Sequence, residues 1–364
     1  MAILLAEAYL HNLDPFAIKF PASWPIAGLR WYGLAYLAGF AVGWLGVTWL
    51  ARTHRTAIPV RAVSDMMIYI LIGVLVGGRL GYCVFYDPAL LTQFTPKFPF
   101  WGLLAINEGG MSSHGGMLGV VVTMWIFAVR NNLSKLHLMD VVCFTAAPGL
   151  FFGRAANFVN AELWGRALPA SMQQPAPWWS FKYPQEITSW SADKLARLTE
   201  AVEAAGFTAA QWRSALDRME IDADAELFVR RTINRLIEAV QSGDQAVITV
   251  MRPQLLAYYP SQLLQAITDG PLLLLLMIVV WRIPRKPGIV GAWFLGGYGV
   301  MRIISERFRE PDAGVQLLAT PLGDFSRGQL LSLLMVAVAV VGGVIVARRE
   351  VEPIGGLFSG PDRA

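Results

Sequence analysis

Seven long apolar runs divide this chain, near residues 31–50, 65–86, 115–130, 137–158, 259–281, 288–308 and 328–347. A helix crosses the hydrocarbon of a bilayer with about 20 apolar residues, range about 17–25. Composition agrees with that solvent. Of the 364 residues, 55% are hydrophobic and only 15% charged, against about 25% charged in an average soluble domain. This excludes a disordered chain and argues against an ordinary soluble enzyme. The net charge of +4 comes with no basic stripe interleaved with aromatics, so no nucleic-acid partner is expected. Cys83 and Cys143 both lie inside apolar runs, which suggests neither a disulfide framework nor a metal site. The 13 tryptophans suit interfacial aromatic belts.

The loops set an orientation. Arg52, Arg55 and Arg61 follow the first run, Arg130 and Lys135 the third, Arg282, Arg285 and Lys286 the fifth, and Arg348 and Arg349 the last. In a seven-span arrangement all fall on one side, and short loops rich in Lys and Arg stay cytoplasmic. The amino terminus and the loops near 87–113, 159–258 and 309–327 then face outward. Residues 1–20 show no basic n-region, so no cleaved signal peptide is read there. The loop after the fourth run is far longer than usual. Its residues 190–250 turn charged and Ala-rich, with the pattern of two or three short amphipathic helices. The expected fold is an all-α integral membrane protein: seven transmembrane helices with an outward-facing helical subdomain between helices four and five. The expected division is 1–165 for the first four helices, 166–257 for the insertion, 258–347 for the last three helices, and 348–364 for a cytoplasmic tail.

Several charges interrupt these runs. An ionisable side chain at mid-bilayer costs about 2.5–3.5 kcal/mol on insertion scales. Arg79, Arg154 and Arg302 each break a run, with Asn157, Glu162 and Glu306 close behind. At about 1.5 Å per residue, Arg79 lies roughly 21 Å, Arg154 roughly 25 Å and Arg302 roughly 21 Å from the cytoplasmic start of its span. His114 opens the third run from the outward side, in the glycine-rich stretch Gly109–Gly116. Four polar groups from four runs thus share the outer portion of the membrane. Tyr298, Arg302, Glu306 and Arg309 recur at spacings of four, four and three, one face of a helix. Arg154 and Asn157 share a face as well. Lipid cannot satisfy such faces, so they should point to a polar cavity.

Each residue also has an ordinary reading. A lone Arg can snorkel to the headgroups, and Arg302 with Glu306 can be a structural ion pair. The glycines around His114 suit either close helix packing or irregular backbone lining a cavity. Tyr32, beside Arg30 and Trp31, can be a belt anchor. What stands out is the conjunction at one depth. Guanidiniums are planar forks suited to phosphate, and at that depth phosphate belongs to lipids, so an anionic phospholipid is the first candidate ligand. No P-loop, HExxH or GxSxG motif is present.

The run from Gly153 to Gly165, Gly-Arg-Ala-Ala-Asn-Phe-Val-Asn-Ala-Glu-Leu-Trp-Gly, resembles the signature of the bacterial prolipoprotein diacylglyceryl transferases. Arg30–Gly33, Gly109–Gly116, Tyr259–Leu263 and Tyr298–Asp312 resemble further family segments in order, and the resemblance covers nearly all of 28–347. Two departures are a longer 166–257 loop and Gln265 where Glu is common. The resemblance implies a multi-pass enzyme of the bacterial inner membrane, amino terminus periplasmic and carboxy terminus cytoplasmic. It would move the diacylglyceryl group of phosphatidylglycerol to the lipobox cysteine of a prolipoprotein signal peptide, releasing glycerol phosphate. By position, Arg154, Arg302 and His114 take essential family sites. Tyr32, Asn157, Glu162, Gly165, Tyr298 and Glu306 take other functional ones, and Asn160 lies within the signature.

The chemistry assigns roles. Arg154 and Arg302 would stabilise charge on the leaving phosphate, with Asn157 donating a neutral hydrogen bond. His114, or alternatively Tyr298, would take the thiol proton, and Glu162 and Glu306 would orient the arginines. Asn160, Gly165, Tyr32 and Arg79 complete the expected binding set. Neither a metal nor an organic cofactor is expected. An anionic-solute transporter is the alternative, but its inverted repeats are not visible. A protease using Ser112 or Ser113 with His114 lacks a second motif.

Overall fold

The computed structural model describes residues 7–21, 23–24, 27–96, 98–106, 109–310, 318–320 and 323–358. Its helices are α1 Trp31–Arg52, α2 Val63–Phe85, α3 Ser113–Arg130, α4 Lys135–Val159, α5 Ala192–Leu195, α6 Thr199–Ala204, α7 Ala209–Arg218, α8 Ala223–Gln241, α9 Gln245–Met251, α10 Ser261–Ile267, α11 Leu273–Trp281, α12 Ile289–Glu306 and α13 Arg327–Ala347. Among the described residues, six helices are long and apolar enough to cross a membrane: α1, Val60–Phe85, α3, α4, Ser261–Trp281 and α13. The sixth apolar run forms α12, a helix of 18 residues that carries Arg302 and Glu306. The fifth run is not one regular helix. A π-helical turn at Thr268–Leu272, containing Pro271, joins α10 to α11, because proline has no N–H to give the helical ladder.

The chain forms two compact units. One comprises residues 1–36, 152–268 and 302–329, the other 37–151, 269–301 and 330–364. The core of the second unit contains Leu50, Met66, Phe127, Leu138, Met277 and Trp281. Its outward faces are apolar too: Leu45, Leu71, Leu75, Val122, Trp125, Val341 and Ile345 are all exposed. Large side chains of this kind on every outward face require a lipid surrounding.

Helices α2 and α3 pack through glycine. A Cβ on Gly77 would lie 2.4 Å from the Gly115 carbonyl oxygen, and one on Gly119 would lie 2.0 Å from that of Gly73. Gly81 abuts the Gly115 Cα in the same way. The four-residue spacing on both helices lets the backbones touch, so the glycines around His114 serve close packing. Asp140 of α4, 2% exposed, accepts hydrogen bonds from the Gly288 and Gly291 N–H groups at 2.6 Å. Its carboxylate caps the start of α12, where orphan donors and the helix dipole favour an anion. The tail is not free. Ile354 and Arg285 exchange backbone hydrogen bonds, and the Leu357 N–H donates to Trp281. Leu357 is buried in the core of this unit.

The first unit has its own core, with Trp190, Leu198, Trp212, Val229, Leu236 and Val247. Five helices, α5–α9, build it instead of two or three. The sequence pattern hides the division because α5, α6 and α9 have only 4, 6 and 7 residues, too short for a clear period. Side-chain oxygens start the longer ones: Thr208 caps α7, Asp222 caps α8 and Asp244 caps α9. Short strands also occur. Tyr9–Leu10 pairs in parallel with Phe181–Lys182, and Phe16–Lys19 pairs antiparallel with Gly28–Arg30.

Candidate active site

The signature run occupies about the last two turns of α4 and leaves it through a tight cap. The Glu162 N–H donates to the Asn157 carbonyl at 2.8 Å, and the Ala161 N–H to that of Phe158 at 3.0 Å. Ala161 sits at φ +52°. These two bonds around a left-handed residue form a Schellman motif, with alanine where glycine would be unstrained. Leu163 follows at φ +55°. The double reversal turns the chain away from the helix within four residues. Asn157 is 8% exposed. Asn160 donates to Glu162 Oε1 at 3.3 Å, and its own Oδ1 is buried without a hydrogen-bond partner. Tyr32 of α1 lies within coulombic range of both Glu162 and Arg154.

Surrounding groups hold this turn. Gln262, 1% exposed, donates to the Glu162 carbonyl at 2.9 Å and accepts from the Tyr183 hydroxyl at 3.2 Å. Ser261 donates to the Leu163 carbonyl at 3.3 Å. The Trp164 ring stacks on Tyr183 at 5.4 Å, and its indole N–H donates to the Ala161 carbonyl. His11, fully buried, places Nε2 2.8 Å from the Phe158 carbonyl oxygen, so Nε2 carries the donated proton. Burial holds this imidazole below its ordinary pKa, against the raising effect of that hydrogen bond.

The end of the signature runs antiparallel to the residues that follow α12. Gly165 bridges to Arg309, the Arg166 N–H donates to the Phe308 carbonyl at 2.9 Å, and the Arg166 guanidinium donates to the Arg309 carbonyl at 2.9 Å. On the other side the Tyr259 N–H donates to the Arg166 carbonyl. Only glycine fits at position 165, since a Cβ there would lie 2.1 Å from the Tyr259 carbonyl oxygen.

Beside this ladder lies an ionic cluster. Arg302 Nη2 is 3.0 Å from Glu306 Oε2, with the two side chains 13% and 8% exposed. Arg309 Nη1 stands 3.9 Å from the same oxygen. The Ser326 hydroxyl donates to Glu306 Oε1 at 3.3 Å. One carboxylate thus ties together both guanidiniums of the face read from the sequence. Arg302 Nη1 is buried and has no hydrogen-bond partner. The first compact unit contains Tyr32, Arg154, Asn157, Asn160, Glu162, Gly165, Arg302 and Glu306. The Pro-Asp end of the run closing at Asp312 lies outside the described residues.

Three expected residues belong to the second unit. His114 is the second residue of α3 and is exposed. The preceding Ser112 is spent as the helix cap, its hydroxyl accepting from the Gly115 N–H at 3.2 Å, an occupation that disfavours a serine nucleophile. Tyr298 is half-buried and stacks on Phe294 at 6.3 Å. Arg79 is 5% exposed and donates to the carbonyls of Gly102, Leu103, Gly109 and Gly110. Its guanidinium gathers the loop that leads into α3, an arrangement a hydropathy pattern does not reveal because every acceptor is backbone. Gln262, Ser261, Tyr183, His11 and Ser326 lie outside the expected set for a related reason. They act on backbone or on another side chain distant in sequence.

Among the described residues, no three His, Cys, Asp or Glu side chains converge as a metal site requires. The Arg302 and Arg309 guanidiniums, with a spare buried N–H on Arg302, suit an anion with several oxygens, such as a phosphodiester.

Comparison with known proteins points the same way. The profile of the prolipoprotein diacylglyceryl transferase family matches residues 21–345. The phosphatidylglycerol–prolipoprotein diacylglyceryl transferase of Bdellovibrio bacteriovorus is 41% identical over 342 residues, 93% of this chain and 94% of the relative. Proteins of the same name from Ruegeria pomeroyi and Ralstonia pickettii are 34% and 35% identical, over 91% and 90% of this chain and 92% of each relative.

Proposed function

This chain belongs to the prolipoprotein diacylglyceryl transferase family, and on that footing we propose that it transfers the diacylglyceryl group of phosphatidylglycerol to the lipobox cysteine of a prolipoprotein. In the reaction the sulfur attacks the glycerol carbon that bears the phosphate. A C–S bond forms, the C–O bond breaks, and the electron pair leaves on glycerol phosphate. The thiol proton goes to a base, and the phosphate gains negative charge as the bond breaks.

The observation that carries this reading is the Arg302–Glu306–Arg309 cluster, laid beside the signature strand and holding a buried, unused N–H on Arg302. Cations fixed before the reaction stabilise developing charge without reorganising. Arg302 and Arg154 bind the departing phosphate, and Asn157 and Asn160 supply neutral donors. Glu306 orients Arg302, Glu162 orients the asparagine side, and Tyr32 packs beside them. Gly165 makes room for the strand that aligns the two motifs. Arg79 shapes the binding side indirectly, by holding the loop before α3. His114 takes the thiol proton: its imidazole is exposed and offers a ring nitrogen as general base. Tyr298 is the competing base, and pH–rate profiles of His114→Asn and Tyr298→Phe decide between them.

The protein is a multi-pass protein of the bacterial inner membrane. The basic connections after α1, α3, α11 and α13 support a seventh span at α12, a periplasmic amino terminus and a cytoplasmic carboxy terminus. On that topology 166–257 is a periplasmic insertion between the four-helix segment 1–165 and the three-helix segment 258–347, and 348–364 lies at the cytoplasmic face.

The test is a lipobox peptide incubated with full-length enzyme and labelled phosphatidylglycerol, read by mass spectrometry. The wild type should add one diacylglyceryl mass. Arg302→Ala should lower turnover by about 10²–10³-fold, the scale of removing a preorganised charge stabiliser. Near-normal turnover in a well-folded Arg302→Ala protein removes the phosphate-clamp assignment.

A further inference from the structure

The second compact unit contains a cavity of about 360 Å³ that the reaction does not use. Val42 and Trp49 of α1, Phe144 of α4, Ile278 of α11 and Leu357 of the tail line it, with Arg55 at its end. Its wall is otherwise almost wholly apolar. It is an open groove whose apolar lining favours a hydrocarbon over water, and about 300–1,000 Å³ is the range in which ligands bind.

The cavity has a direction. Along α1, Val42 lies about 10 Å from Trp49 at the rise of a helix. Ile278 lies four residues before Arg282, so the void occupies the basic end of the helices. There Arg55 stacks its guanidinium over the Trp49 ring, 4.7 Å from its centroid. Arg55 Nε is buried without a hydrogen-bond partner, and among the described residues no carboxylate pairs with Arg55. A tryptophan marks the interfacial level, and a guanidinium with no carboxylate partner at that level favours an anion.

An apolar slot opening beneath an unpaired cation matches one common molecule in shape and charge. We infer that this cavity holds one acyl chain of an anionic phospholipid from the leaflet at the basic helix ends, with the phosphate seated on Arg55. Basic pockets between membrane helices on the cytoplasmic side bind such headgroups. The occupant is a resident lipid that cements α1, α4, α11 and the tail, separate from the lipid consumed by the reaction.

The test is photolabelling of the full-length protein in vesicles. Phosphatidylglycerol carrying a diazirine on one acyl chain is compared with the phosphatidylcholine analogue and a diazirine fatty acid, and adducts are mapped by peptide mass spectrometry. Adducts from the anionic lipid should concentrate on peptides containing residues 42–49, 144–148 and 357–358. Their yield should exceed that of the other two probes at least fivefold. Arg55→Ala, and Val42→Trp which fills the slot, should each reduce this labelling to the level on the exposed α2 face at Leu71–Leu75. That α2 labelling and diacylglyceryl transfer serve as the folding controls, because neither residue belongs to the transfer site. Equal labelling by the zwitterionic lipid or the fatty acid, or labelling that Arg55→Ala leaves unchanged in a transfer-competent protein, overturns the assignment.

Discussion

Ala161 and His11 show how single residues set the signature turn. Ala161 holds a left-handed conformation at φ +52°, which costs an L-residue about 1–2 kcal/mol. Ala161→Gly should therefore raise stability by about 1 kcal/mol, read as an upward shift of the thermal unfolding midpoint in detergent, with the hydrogen bonds of the cap retained. Gly165→Ala should do the reverse. Its Cβ would meet the Tyr259 carbonyl at 2.1 Å, so the strand must shift at a cost of about 1–3 kcal/mol, and transfer should fall with it. His11 makes the region sensitive to acid. Burial keeps its folded pKa below the ordinary 6.5, so below 6.5 the unfolded chain binds the proton that the folded chain refuses. This contribution to stability is full above pH 6.5 and is lost as pH falls from there toward the folded value. The unfolding midpoint should drop across that window, and His11→Gln should flatten the drop. An unchanged pH profile in His11→Gln would place the acid sensitivity elsewhere.

Helices are the most legible level of this molecule. Runs of apolar residues report lipid-facing helices directly, so α1, α2, α3, α4 and α13 start and stop within a few residues of the expected bounds. The π-turn at Pro271 leaves no such trace, since proline inside an otherwise apolar run leaves hydropathy unchanged. The short helices α5, α6 and α9 merge in the pattern for want of a full period. Strands such as Tyr9–Leu10, two residues long, carry no pattern at all. At this scale the glycine contact between α2 and α3 is the feature most open to test. Gly119→Val should separate the helices and lower stability by several times the cost of an ordinary surface change, while Gly109→Ala, with open space around its Cβ, should cost only the strain of its φ of +87°. Paired unfolding curves make the comparison. In the core of the first unit, Leu236→Ala should cost about 2–5 kcal/mol, because Leu236 is fully buried there.

For the molecule as a whole, the candidate site is legible where chemistry conflicts with the surroundings. Arg154, Arg302 and Glu306 stand out because lipid cannot satisfy them, and the structure joins Arg302 to Glu306 and Arg309 on the anticipated face. Arg79 shows the limit of that reasoning. The same conflict marks it, yet its partners are the carbonyls of a loop, and no residue pattern encodes who accepts a proton from whom. The proposed orientation can be tested: cysteines placed at Arg61 and at Ser191 should react with a membrane-impermeant thiol reagent from opposite sides in intact and opened cells, and labelling from one side would reject it. The seam between α2 and α3 also governs how such a protein can drift. Every coding change away from glycine adds at least one carbon, and at Gly73, Gly77, Gly115 and Gly119 that carbon meets backbone, which cannot swing aside as a side chain does. No gradual series of small substitutions leads out of this arrangement, so inherited variation should collect on the lipid-facing flanks of the two helices and leave their shared line untouched.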